Sequence, residues 1–425
     1  MKKFIYLVGG IIVLIFLLWL YPEPMPEYTP KRNYINMEVE ILEAFILAKD
    51  SSVIQLPEGH FLFSQSLSLD DKKNITIKGM GMDKTILSFK GQLKGAEGIK
   101  VTQCKNLIIE DLAIEDAAGD NLKISDSDSV VLRRIRSAWT GTVSTKNGAY
   151  GLYPVLCSNL LIEECEAIGA SDAGIYVGQS KNVIIRNNKA YYNVAGIESE
   201  NSSNVEIYGN EAYENTTGLL IFNLPQLTVY GENIRAYDNL VNNNNIPNFG
   251  VKGSIVSAVP KGTGVVIMAT KDVDFSNNTI RNHKTANLSV VSYELFAADD
   301  DPENTTLEEE AESRGIRSVD SEYLHDLEYN AYPQNISIHE NTFENKYNFP
   351  TLSNDYGVLM FLKNKVTIPD IVYDGILPEN VFSKSNMHKI CLDNNGVINF
   401  VMMDAANDFK NFSNDQSPYN CKMNL

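Results

Sequence analysis

From about residue 50 onward the chain is a succession of short runs in which apolar and polar residues alternate, the signature of strands with one buried face. Before them, Asn36 to Lys49 places Val39, Leu42, Ile46 and Leu47 at helical spacing, which predicts a helix, followed by VIQLPEGHF with a Pro-Glu-Gly turn at 57–59. The runs repeat. Aligned on the strands beginning NLIIED at Asn106, SVVLRR at Ser129, NLLIEE at Asn159, NVIIRN at Asn182, NVEIYG at Asn204, QLTVYG at Gln226, DVDFSN at Asp272 and NISIHE at Asn335, their first apolar residues are 23, 30, 23, 22, 22, 46 and 63 residues apart. The 30 reads as one turn with an insertion, the 46 as two turns and the 63 as a turn with a long excursion. Several short strands per period, with Gly and Asn at the corners, predict a parallel β-solenoid. In such a fold each coil stacks on the next at the ordinary inter-strand distance of about 4.8 Å.

The register predicts which side chains stand together. Five residues after the first apolar position come Cys165, Asn188, Asn210, Asn278 and Asn341, with Asn233 one further on, and asparagine repeated at one corner builds an amide ladder between coils. These asparagines are read as turn architecture without chemistry. Counting back from the corners Ser127, Cys157, Ser180, Ser202 and Leu224 puts Leu122, Leu152, Ile175, Ile197 and Leu219 inward. Their successors Lys123, Tyr153, Tyr176, Glu198 and Leu220 then point out, as do Ser125, Val155, Gly178, Glu200 and Phe222 two positions further on. Lysine, two tyrosines and glutamate on consecutive rungs would line a groove, with Asp120 and Asp172 near its edge.

That grouping suits a polysaccharide, because tyrosine rings offer flat faces to pyranoses while carboxylates and lysine bind hydroxyl or uronate groups. The candidate catalytic residues are Tyr153 and Tyr176 as base or acid, Lys123 as the cation that neutralises a uronate carboxylate, and Glu198 as a carboxylate for hydrolysis with Asp172 or Glu200. Tyr150, Asp172, Glu200 and Asp120 are the candidate substrate-binding residues. The bland alternative is a solvated face in which outward Lys and Glu form an ordinary cross-strand pair.

The helix followed by VIQLPEGHF and then KNITIKGMGMDKTILSF (73–89) resembles the start of right-handed parallel β-helix proteins of the pectate-lyase-like superfamily. GDNLKIS, GAYGLYPVLC, GASDAGIYVGQS and AGIESENS, between about 119 and 202, resemble a narrower family of exported bacterial parallel β-helix repeat proteins of unsettled function. The resemblance covers most of 40–290. It implies an all-β right-handed parallel β-helix, an envelope location and an exported protein partner similar to a c-type cytochrome. The same window is similar to alginate epimerases, whose site follows the pattern Tyr-Gly-Phe-Asp-Pro-His. Here Tyr150, Gly151 and Pro154 match, but Tyr153 and Val155 replace Asp and His, so the epimerase acid–base pair is not carried over.

The N-terminus adds a location. Lys2 and Lys3 precede an unbroken apolar run, residues 4–21, which reads as a signal anchor or cleaved signal peptide (1–21) with a cytoplasmic start. Pro22, Pro24, Pro26 and Pro30 make 22–36 a stiff tether leading away from the membrane. The β-helix is expected over 37–367, with an acidic insertion at about 294–331, and a C-terminal cap over 368–425. A formal charge of −18, from 36 basic and 54 acidic residues, removes nucleic acid as a partner, and 44% hydrophobic residues remove a disordered tail. The five cysteines do not make a stapled scaffold. Cys104 and Cys157 fall two coils apart, Cys165 is a buried free ladder member, and Cys391 and Cys421, outside the repeats, are expected to form a disulfide in an oxidising compartment. The scattered histidines predict no metal site. Calcium is the one cofactor considered, at the run opened by Asp299, Asp300 and Asp301, which lacks calcium-loop spacing.

Overall fold

The computed structural model describes residues 23–297, 323–378, 389–423 and 425. The apolar run 4–21 and the acidic stretch from Asp299 to Glu312 lie outside them. The described chain coils into a parallel solenoid. Its first sheet has eleven strands among the described residues, stacked from Gln65–Asp70 through Leu122–Ser125, Leu152–Val155, Ala173–Gly178, Ala195–Glu200 and Thr217–Phe222 to Phe400–Met402. The other two faces are built by strands such as Lys181–Arg186 and Lys189–Tyr191, each paired in parallel with its counterpart one coil away.

The interior is one apolar column. Leu122, Leu152, Ile175, Ile197 and Leu219 stand in register on the first sheet and are buried, as the sequence count predicts. Two polar stacks run beside them. In the first, Asn188, Asn210, Asn239, Asn278, Asn341 and Asn395 each receive the preceding member's backbone N–H and amide at about 3.0 Å, except that the earliest bond comes from the Cys165 N–H. Asn239, rather than Asn233, belongs to this ladder. The strand of that coil is Glu232–Tyr237, so the segment beginning at Gln226 is an inserted loop, and the stretch from Val205 to Val273, counted as three turns, is two lengthened ones that meet at Ile234. Gln226 imitates the repeat because QLTVYG carries the same polar–apolar alternation as the strands, although Gln226, Thr228 and Val229 are exposed.

The second stack, Asn193, Asn215, Asn244 and His283, is not evident from the apolar alignment. Its trace in the sequence is a glycine column, Gly174, Gly196, Gly218 and Gly264. A Cβ on Gly218 would lie 2.7 Å from Asn244 Nδ2 and 2.8 Å from Gly264 O, so only glycine lets the amide pack there. A third, exposed series explains why so many strands open with Asn. Asn159, Asn182, Asn204 and Asn233 take positive φ of 54–59° and bond side chain to side chain from coil to coil.

The ends differ from expectation in three ways. The helix Glu38–Ile46 caps the first coil with Ile41 and Phe45, whereas Val39, Ile46 and Leu47 are exposed, because the i, i+4 stripe that meets the coil is the other one. Within the expected tether, residues 23–36 are not free. From Glu23 on they lie along the solenoid as a strap: Lys261 pairs with Glu23 at 2.9 Å, Glu27–Tyr28 pairs antiparallel with Gly141–Thr142, Arg32 binds the buried Glu115, and Tyr34–Ile35 extends a sheet beside His60–Phe61. Glu115 is a charge out of water that needs a cation, and Arg32 supplies it.

At the other end the solenoid does not stop at 367. Strands Ile371–Tyr373, Ile390–Asp393 and Phe400–Met402 add coils in register before the chain ends in turns. Cys391 therefore sits inside the repeats, and its disulfide to Cys421 ties the terminal turns to the last coils. Cys104, Cys157 and Cys165 are free and buried.

Candidate functional site

All eight predicted site residues come to the outer side of the first sheet. Lys123 is level with Tyr153, Tyr176 with Glu198 and Glu198 with Leu220, while Gly178, Glu200 and Phe222 follow one another in the second row. Three tyrosine rings pack together, with centroids 4.4 Å (Tyr150–Tyr153), 4.7 Å (Tyr150–Tyr176) and 4.8 Å (Tyr153–Tyr176) apart. Gly178 makes this possible, since a Cβ there would meet the Tyr176 hydroxyl at 2.2 Å. Lys123 Nζ stands 4.7 Å above the Tyr153 ring and 4.0 Å from Asp120, whose carboxylate accepts the Tyr150 backbone N–H at 3.3 Å.

The expected open groove is not there. Tyr150, Asp172, Tyr176, Glu198 and Glu200 are all less than 5% exposed, and only Lys123, Asp120 and Tyr153 reach partial exposure. The roof is the chain's own. Leu220 and Phe222 form a second apolar core with Phe249, Val251, Ile255 and Val256 from the insertion that follows Asn245. An apolar row on an outward face must be covered, and a loop long enough to cover it stands directly before the next strand. The same packing buries Leu220 and Phe222, so neither side chain is presented to a partner.

Sealing the carboxyls changes their chemistry. Burial, then the charges of Asp172 and Glu200, push the Glu198 pKa well above the usual carboxylate range. Asp172 is raised in the same way, by burial first and by Glu200 and Asp120, against a lowering contact from Tyr150. Asp172 Oδ1 and Glu198 Oε1 accept no hydrogen bond. Burial thus favours the neutral acid form of these carboxyls, which works against their serving as a ready general base. Asp120, nearer the edge, is pushed up to about 6 by burial, with Lys123 pulling it down. Among the described residues no group of three or more His, Cys, Asp or Glu side chains is arranged to hold a metal ion.

Two members of the row escaped the sequence count, which began at Leu122. Lys100 is level with Lys123 and Ser68 with Lys100, and both are exposed. The I-K-V alternation of Ile99 to Val101 carried that signal. The accessible face is thus Ser68, Lys100, Lys123 and Tyr153, ending against the sealed acid–tyrosine cluster.

A family model described as right handed beta helix region matches residues 136–296. No curated protein matches the chain by sequence. Among solved structures, the A-module of mannuronan C-5 epimerase AlgE6 from Azotobacter vinelandii superposes with a TM-score of 0.52 at 16% identity, over 84% of this chain and 89% of that one. The AlgE4 A-module of the same organism gives 0.49 at 13%, over 86% and 92%, and an exopolygalacturonase from Thermotoga maritima gives 0.45 at 13%, over 77% and 91%. At such identities the likeness is one of fold. Residues 136–296 match the right-handed β-helix model, and the described chain has the fold of a parallel β-helix.

Proposed function

We propose that this is an exported, envelope-anchored β-helix protein that binds a polysaccharide along the accessible rungs of its first sheet. The observation that carries the reading is Lys123 stacked over Tyr153 in line with Lys100, on rungs about 4.8 Å apart. Each lysine has an acidic neighbour, Glu97 at 3.6 Å from Lys100 and Asp120 at 4.0 Å from Lys123, so the row offers donors and acceptors to the hydroxyl and carboxylate groups of a glycan rather than a net positive strip. The Tyr153 ring supplies a face for a pyranose. Modification of the glycan by lysis, epimerisation or hydrolysis would draw on Tyr176, Glu198, Asp172 and Glu200, and these become available only if the roof over them opens. Binding is therefore the function assigned to the closed form.

The test is a glycan array probed with the full chain, with mannuronan oligomers included because a fold-sharing protein is named for acting on mannuronan. A Lys100→Ala, Lys123→Ala, Tyr153→Ala variant is expected to weaken binding at least about tenfold, equivalent to about 1.4 kcal/mol. A folded chain that binds no glycan, or a variant that binds as well as the parent, defeats the proposal.

A further inference from the structure

Further along the same outer face lies a cavity of about 1040 Å³. It sits between the 247–261 loop, the strands Thr263–Met268 and Ala286–Val291, and the helix Asp355–Lys363. Val266, Val291, Phe296, Leu359 and Met403 make its lining mainly apolar. Its volume is at the top of the range of about 300–1,000 Å³ that ordinary small-molecule sites occupy. Inside, the hydroxyls of Ser289 and Tyr356 lie 3.2 Å apart. One bond between two hydroxyls uses one proton and leaves the other to be donated to an occupant. Such a lining disfavours a sugar and fits a long hydrocarbon carrying one hydrogen-bond acceptor.

The position of the cavity says where that hydrocarbon comes from. Lys261, which lines it, holds Glu23 at 2.9 Å. Glu23 follows the apolar run 4–21 by two residues, a reach of about 7 Å in extended chain. Beyond Glu23 the strap is pinned: the Pro26 carbonyl accepts the Val143 N–H at 3.1 Å, and the pairings at Glu27–Tyr28 and Arg32 follow. With residues 4–21 read as a retained membrane span, the bilayer surface is brought to the rim of the cavity, at the side of the solenoid rather than at its end. We propose that the cavity takes an acyl chain of a bilayer lipid, drawn in beside the anchor. This goes beyond the glycan reading and is independent of it.

The experiment uses the full chain in nanodiscs of phosphatidylglycerol carrying a photoactivatable diazirine on one acyl chain, with labelled peptides mapped by mass spectrometry. Label is expected on the peptides holding Leu295–Phe296 and Val358–Leu362. Leu359→Trp, which fills the cavity, is expected to cut that label about tenfold. Leu362→Trp, at the rim and 72% exposed, should reduce it as well without disturbing the packed interior, whereas Val397→Trp, fully exposed and outside the cavity lining, should leave it unchanged. Label confined to the first 30 residues overturns the proposal, as does cavity label that neither tryptophan reduces. Cross-linking of two copies through this face would give the cavity to a second chain and overturn it equally.

Discussion

Truncating one rung of the buried amide ladder should cost far more than truncating one rung of the exposed ladder, although both are asparagines bonded to asparagines. Asn210 Nδ2 donates to Ile185 O at 2.9 Å and to Asn239 Oδ1 at 3.0 Å, while its Oδ1 accepts both the backbone N–H and the amide of Asn188 at 3.0 Å. Asn239 keeps a donor after Asn210→Ala, because the Asn210 backbone N–H also points to it at 3.1 Å. Two groups are left stranded, the Asn188 N–H and one Asn188 amide proton, while the Ile185 carbonyl, which stands in the parallel ladder with the Ile207 strand, loses one of its donors. At about 1–3 kcal/mol for each buried unsatisfied group, the loss is about 2–6 kcal/mol. Asn204 is exposed, has φ 55° and makes two side-chain bonds, to Asn182 at 3.0 Å and from Asn233 at 2.8 Å. Asn204→Gly preserves the backbone and loses only water-competed bonds, about 0.5–1 kcal/mol. Urea unfolding of the full chain, followed by circular dichroism, measures both. Because solenoids can unfold in segments, hydrogen exchange at Ile185 to Asn188 serves as the local readout. An Asn210→Ala loss no larger than that of Asn204→Gly would refute the view that the ladder is a load of desolvated groups.

Two further outcomes concern pH. His283 ends the second ladder: Asn244 donates to its Nε2 at 3.1 Å, so Nδ1 carries the proton toward Asn287 Oδ1 at 2.9 Å, and burial holds its pKa at about 4. The unfolded chain takes up this proton first, so stability falls as pH drops from about 6.5 to about 4, by about 3 kcal/mol. His283→Asn, which continues the ladder in kind, should melt near the parent at pH 7 and lose less stability at pH 4.5; an unchanged acid sensitivity argues against this assignment. Glu198 runs the other way, since its raised pKa means that the folded chain holds the extra proton and stability falls as pH rises from about 4 toward 7. Glu198→Gln should therefore raise the melting temperature at pH 7, with the gain vanishing near pH 4. A Gln variant less stable at pH 7 would show that the carboxylate is satisfied in a way the burial does not reveal.

Much of the fold was legible because a solenoid writes its register into the sequence at a fixed period. The inward column and both outward rows follow from counting, and Lys123, Tyr153, Tyr176 and Glu198 stand where that count put them. What counting does not reveal is what lies on top of a row. Whether Leu220 and Phe222 face water or Phe249 depends on how a loop some thirty residues later folds back, and no periodicity records that. The Gln226 error has a related cause, since two consecutive coils carry insertions and an apolar loop filled the gap. The strap was missed because the proline spacing of 22–30 gives an extended chain equally well in solution and against a surface. Only Arg32, with a buried carboxylate to meet far along the chain, separates the two.

The strap also fixes an order of events. Its partners are made long after it: Gly141–Thr142 lies more than a hundred residues downstream, and Lys261 is separated from Glu23 by 238. The strap residues therefore wait unpaired while coil after coil is laid down, and they can be clasped only when the middle of the solenoid exists. Loop closures of this length are slow, so the strap is expected to dock last. Once docked, it decides how force reaches the molecule. A pull at Glu23 acts sideways on a two-residue ladder and a few ion pairs, which peel one at a time, and the stacked coils bear no tension until the clasp has come away.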